Sequence, residues 1–236
     1  MRYFWLSLKA IFIKDIVTEL RAKQVLPTMI VLGMLIVWVL RMASEAVLQS
    51  GAVIGPVALW IAFLFAGLLA QERSFATEQQ QDCIYALLLA PVDEGTIYLA
   101  KLFVNIVLLS IFEIIIVPVV IVAFRLNINN WPALIGVLLL GNIAISSVGT
   151  LFSAIVQLSR ARGALLSILV LVILMPMMIP ATFALLFVFG AIPQEMAGTG
   201  ALAFIGTLGS AVGYMITFDA VFVVACWLLF GFAIKE

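Results

Sequence analysis

The stretch ERSFATEQQQDCIYALLLAP, residues 72–91, decides how the rest of the chain is read. Nine of the eleven residues from Glu72 to Asp82 are polar, in a sequence of 236 residues that is 66% hydrophobic and only 10% charged. From Ile84 to Ala90 the chain turns apolar again, and it stops at Pro91. So dense a polar run has to stand outside the hydrocarbon, since charged groups at membrane depth are costly. The apolar runs on either side of it can then be counted outward as membrane spans.

Two runs precede it, about 25–43 and 52–70, and four follow, about 102–124, 133–157, 164–190 and 211–234. Each approaches or exceeds the roughly 20 residues that cross a core about 30 Å thick. The expected fold is an all-α polytopic membrane protein with six transmembrane helices. Pro118, Pro176 and Pro180 fall inside the third and fifth runs, where kinks are expected.

Residues 3–22 do not read as a span. On a helical wheel Trp5, Phe12, Ile13, Ile16, Val17 and Leu20 share one face, with Ser7, Lys14, Asp15, Thr18 and Arg21 opposite. That is the pattern of a helix lying in the membrane interface, with Lys9 snorkelling from the apolar side. A helix packed on the protein itself is the alternative. Arg2, Lys9, Lys14, Asp15 and Glu19 interrupt the apolar residues, so no cleavable signal peptide is expected. The expected organisation is one transmembrane domain over 1–236, with 1–24 as the interfacial helix and 71–101 as a cytoplasmic coupling region.

Placing the N-terminus in the cytoplasm puts ten Lys and Arg residues inside, from Arg2 to Lys235, against Arg41 and Arg125 outside. This positive-inside bias orients both termini and residues 72–91 towards the cytoplasm. On the other side, residues 191–213 combine a polar loop with a semi-apolar stretch, ALAFIGTLGSAVG, that is short for a span. Either a re-entrant element or a packed loop fits it.

Several chemistries are missing. There is no GxxxxGK[ST] phosphate loop, no HExxH and no GxSxG, and with no histidine the usual haem and metal ligand is absent. Cys83 and Cys226 fall in a polar loop and an apolar run, so no disulfide framework is expected. Zero net charge gives no footprint for nucleic acid. The chain reads as a non-catalytic membrane subunit.

A membrane protein without an engine can borrow one through a cytoplasmic element stiff enough to transmit a push. Asp82 can cap a short helix that presents Ile84, Leu87 and Leu88 on one side and ends at Pro91. That side could dock in a groove on a soluble partner, or rest on the protein's own bundle. Glu72 and Arg73 stand where the second span leaves the membrane and could pair with partner charges. Phe75 and Tyr85 add aromatic anchors.

The combination of E-R-S-F (72–75), the glutamine and aspartate run, L-L-L-A-P (87–91), L-A-K (99–101) and A-L-L-S-I-L-V-L (164–171) after Arg160 and Arg162 resembles the CcmB family of cytochrome c maturation permeases. That family falls within the ABC-2 type permease class, and the resemblance covers nearly the whole chain. It implies a permease homodimer carried on two CcmA-like ATPase subunits in the bacterial cytoplasmic membrane. CcmC-like and CcmD-like membrane subunits accompany it, and the complex acts on the haem chaperone CcmE. ATP would be bound by the ATPase and haem handled by the partners, with no cofactor on this chain. The coupling residues it implies are Glu72, Arg73, Phe75, Asp82, Ile84, Tyr85, Leu87 and Leu88.

Polar residues also occur inside the spans. Glu113 lies near the middle of the third and Asp219 inside the sixth, where an ionised carboxylate costs about 2.5 to 3.5 kcal/mol. On the fourth, Asn142, Ser146, Thr150, Ser153 and Gln157 fall along one stripe. Helix packing and a conduction path both suit such a stripe, and structural acids, neutral or paired, are the plainer reading of the carboxylates. Two functional alternatives stay open: an ABC-2 exporter of a lipid, glycan or drug, and a proton-coupled secondary transporter using Glu113 or Asp219.

Overall fold

The structure, a computed structural model, describes residues 2–22, 24–46, 51–80, 94–158, 163–191 and 205–235, without the side chains of 2–4, 20, 22, 72–80, 94, 156–158, 163–167 and 233–235. Among the described residues the chain forms seven helices and no strand. They are α1 (Arg2–Ala22), α2 (Val25–Ala46), α3 (Gly51–Gln80), α4 (Glu94–Phe124), α5 (Trp131–Leu158), α6 (Gly163–Val188) and α7 (Leu208–Lys235). Each of α2 to α7 holds a stretch long and apolar enough to cross a membrane. The six expected spans and the separate N-terminal helix are therefore present.

Three boundaries differ from the sequence reading. The second span's helix runs on through the polar residues to Gln80, nine residues past the apolar stretch that ends at Gln71. The third begins at Glu94, not near 102, because Thr96, Tyr98 and Lys101 are buried with the apolar residues around them. The last begins at Leu208, so Leu208–Gly213 is the opening of α7 and not a separate re-entrant element. Residues 192–204 lie outside the described residues. Pro118, Pro176 and Pro180 stand inside α4 and α6, and both helices continue through them.

Local chemistry sets several helix ends. Asn130 Oδ1 accepts from the Ala133 amide at 3.1 Å and caps α5. Thr207 and Ser210 exchange backbone-to-hydroxyl bonds of 3.1 Å each at the start of α7, a reciprocal cap. α4 closes with Arg125 at φ 52°, the Leu126 amide donating to Ile121 O at 3.0 Å and the Arg125 amide to Val122 O at 3.4 Å. Leu126 is thereby folded back against the bundle, 6% exposed.

α5 is the hub. In its apolar window 72% of residues are buried, against 22% for α2 and 28% for α7, whose large apolar side chains face outward. α3 approaches α5 closely because glycines stand where it presses. A side chain at Gly141 would overlap the Trp60 ring, and one at Gly149 would overlap the Gln71 amide. Small residues that admit a neighbour are how membrane helices gain contact when lipid is as apolar as they are.

α1 packs against α4. Trp5, Leu6, Ile13 and Val17 are exposed, while Ile11 and Asp15 turn to the bundle. The wheel placed Asp15 on the outward polar face. It is instead 7% exposed, because Lys101 of α4 meets it there.

Candidate functional site

Two ends of the bundle can be distinguished: a base, where α1 lies and where residues 81–93 join α3 to α4, and a far end, where residues 125–130 join α4 to α5. At the base, α4 carries Tyr98, Lys101 and Asn105 at i, i+3 and i+7, so all three share one helical face. The Tyr98 hydroxyl donates to Ser147 O at 3.2 Å, and its ring lies 5.3 Å from that of Phe230 on α7. Lys101 Nζ donates to Asp15 Oδ2 at 3.1 Å, and Lys14 Nζ approaches Asp15 Oδ1 at 3.0 Å. With Lys101 2% exposed, this pair is a buried ionic tie between α1 and α4. α1, α4, α5 and α7 meet there around Ile11, Ile97, Tyr98, Leu151, Cys226 and Phe230.

From the base a polar seam climbs between α4 and α5. Asn105 Nδ2 donates to Thr150 Oγ1 at 2.8 Å, and Thr150 donates to Ser146 O at 2.6 Å. Ser146 donates to Asn142 Oδ1 at 3.2 Å, and Asn142 Nδ2 donates to Ser110 Oγ at 3.0 Å and Ile106 O at 3.1 Å. α3 joins through Gln71 Nε2, which donates to Ile145 O at 2.8 Å across the gap left by Gly149. Asn142, Ser146, Thr150 and Ser153 of the stripe are thus buried in helix contact, and the side chain of Gln157 lies outside the description.

The acids behave differently. Glu113, Asn142 and Asp219 each stand eleven residues inward from the far ends of their helices, at Phe124, Trp131 and Leu208, roughly 16 Å along each axis. Glu113 is 8% and Asp219 6% exposed. Among the described residues Glu113 Oε1 and both Asp219 carboxylate oxygens find no hydrogen-bond partner. Among the described side chains none supplies the bond to Asp219 that a structural acid would want. Glu113 also lines a cavity of about 320 Å³ between α4 and α5. Among the described residues no group of three His, Cys, Asp or Glu side chains could hold a metal ion.

Of the residues read as coupling positions, Glu72, Arg73 and Phe75 lie on the helical backbone of α3, with their side chains outside the description. Asp82, Ile84, Tyr85, Leu87 and Leu88 lie outside the described residues altogether. What is described is the frame on both sides of them. α3 carries the second span about 13 Å beyond Gln71, and α4 resumes at Glu94 with its first turns packed into the base. The sequence reading missed Gln71, Tyr98, Asn105 and the Asp15–Lys101 pair. The i, i+3, i+7 spacing of Tyr98, Lys101 and Asn105 was the available signal, facing the i, i+4, i+8 stripe of Asn142, Ser146 and Thr150.

A frame of six spans with a separate helix packed at its base suits a permease. The family model for CcmB protein matches residues 6–221, nearly all of that frame. The chain belongs to the CcmB family. Within curated proteins, the chain is 31% identical over 132 residues to the heme exporter protein B of Haemophilus influenzae. That match covers 56% of this chain and spans 60% of the relative's length. The family match reaches from α1 to the inner part of α7, so it takes in Asp15, Lys101, the α4–α5 seam and both acids.

Proposed function

We propose that this CcmB-family chain is the permease subunit of an ABC-type complex for cytochrome c biogenesis. A separate CcmA-like ATPase docks on residues 72–91, and its ATP hydrolysis is converted into haem handling or release of a haem-loaded chaperone. The haem-export name of the relative supports the substrate class. The observation that carries the coupling is the framing of residues 81–93 by two anchored helices, α3 as an unbroken extension of a span and α4 tied at its start to α1, α5 and α7. A push delivered to the end of α3 or the start of α4 enters a span directly.

In this reading the chain works as a homodimer with both termini cytoplasmic in the bacterial inner membrane. It is accompanied by CcmC-like and CcmD-like subunits, with a CcmE-like chaperone served indirectly. ATP is bound by the partner, and no cofactor sits on this chain. The test is pull-down of the ATPase by membrane-inserted variants. Truncating a buried anchor commonly costs about 2 kcal/mol or more, so Tyr85→Ala or Leu87→Asp should weaken association about thirtyfold. Variants that hold the ATPase as tightly as the parent would remove residues 72–91 as the docking face. Failure of any ATPase to co-purify with the parent would favour a secondary transporter.

A further inference from the structure

α1 turns an acid inward and its cations outward. Asp15 is buried against Lys101, whereas Lys9, Lys14 and Arg21 are exposed. At about 100° per residue, Leu6, Ile13 and Val17 fall within roughly 40° of arc and form the centre of the outward face. Their exposures are 58%, 47% and 40%. Lys9 stands about 60° to one side of that centre, with Arg21 and Lys14 about 60° and 80° to the other. Among the described residues of α1 no acid shares this arc, since Glu19 lies about 140° from its centre and is partly buried. Trp5 stands beside Lys9 at the edge of the arc and is 67% exposed.

We propose that this face is a docking surface for anionic phospholipid, with its apolar centre among the upper acyl chains and its flanking cations on headgroup phosphates. Position and charge both select that occupant. α1 packs against α4, with Ile11 and Ile97 in one apolar cluster and Asp15 bonded to Lys101. Ile97 and Lys101 belong to the apolar window of that span, which opens at Gly95. α1 therefore lies at the end of a span, where lipid headgroups stand. An apolar stripe with basic flanks and a tryptophan at its edge is the composition by which helices settle in that layer. Charge then chooses among lipids. Where Asp15 meets both Lys14 and Lys101, two cations face one acid and a positive charge is left over. Lys9 and Arg21 add two more on the exposed arc. A soluble partner would have to match an apolar centre with acids on both sides of it, whereas an anionic bilayer supplies hydrocarbon and phosphate together. Neither the ATPase nor haem is needed for this contact.

The probes are phosphatidylglycerol and phosphatidylcholine, each carrying a diazirine high on one acyl chain. Each is photolysed at trace level with the 236-residue chain in phosphatidylcholine vesicles, and the labelled residues are mapped by peptide mass spectrometry. One Lys or Arg at an anionic surface changes binding about fivefold, so residues 5–21 should take up the phosphatidylglycerol probe about tenfold or more above the phosphatidylcholine probe. Residues 208–232, which carry no Lys or Arg, should take up both alike and report insertion. Salt at about 1 M, where screening acts within roughly 3 Å, should bring the two probes level on α1. Lys9→Gln combined with Arg21→Gln should bring them to within about twofold at low salt. Lys9→Arg combined with Arg21→Lys keeps both charges and should label as the parent does, which separates lost charge from lost fold. Equal labelling of residues 5–21 by the two probes in the parent, a preference that survives the neutral pair, or a preference lost in the charge-keeping pair would each overturn the proposal. Absence of label from either lipid on residues 5–21 would overturn it too, by placing the face against protein or solvent.

Discussion

Asp15 and Glu113 are both carboxylates more than nine-tenths buried, yet their surroundings are opposite. Asp15 is clamped between Lys101 at 3.1 Å and Lys14 at 3.0 Å. Among the described residues Glu113 Oε1 has no bond, and Asp219 shares this, its two oxygens both unpartnered. The same burial therefore means different things at the two levels of the bundle. At the base it ties helices together, and the fold depends on the bond. At the level of the two acids, Glu113 Oε1 and both Asp219 oxygens have no such bond among the described residues, which makes those positions candidates for function instead.

The sharpest way to break this contrast is to remove one member of the base pair. Asp15→Ala takes away the carboxylate that Lys101, 2% exposed, bonds at 3.1 Å, and breaking a buried pair typically costs about 3 to 5 kcal/mol. Thermal unfolding in detergent should show it as the largest single loss among these variants. Adding Lys101→Met should recover most of it, since a buried pair replaced by apolar groups is often neutral. If Asp15→Ala alone unfolds like the parent, α1 is not held through this pair.

The next effect tests the hub. Gly149→Ala puts a methyl group where the Gln71 amide lies, so α3 must move or Gln71 must give up its bond to Ile145 O. Overpacking of this kind costs about 1 to 3 kcal/mol. The double variant with Gln71→Ala should be closer to the parent than Gly149→Ala alone, because the clash is then removed. Equal losses in the single and double variants would mean that Gly149 matters for some reason other than the room it leaves.

The six spans were legible because each is long and continuous enough that length alone identifies it. The α1 helix was legible too, but its inward face was not. A wheel sorts residues by polarity and so sent Asp15 outward, whereas a buried ionic tie is decided by a lysine 86 positions away. Lys101 was read as one more inside cation for a similar reason. The Asn142–Thr150 stripe could be read from spacing on one helix, but its partner Asn105 could not, since pairing across helices needs the packing of α4 on α5. The reach of α3 to Gln80 was hidden because a helix leaving the membrane changes composition without changing backbone. The cavity at Glu113 is lined from both α4 and α5, which no single helix records.

The smallest effect belongs to the unpartnered acids, and it is the most informative about the comparison. Asp219→Asn removes no hydrogen bond that the structure makes and keeps the size of the side chain, so unfolding should shift by less than about 1 kcal/mol. Truncation of Asp15 takes away a bonded carboxylate of equal burial and should cost several times more. Measured side by side in the same detergent, the two variants separate burial from bonding as the source of stability. If Asp219→Asn destabilises as much as Asp15→Ala, a bond to Asp219 forms in the folded protein and the contrast between the two levels fails. If it is neutral in unfolding but lowers ATPase-dependent haem-chaperone release, then the acid serves transport and not the fold, and the far half of the bundle is where function should be sought.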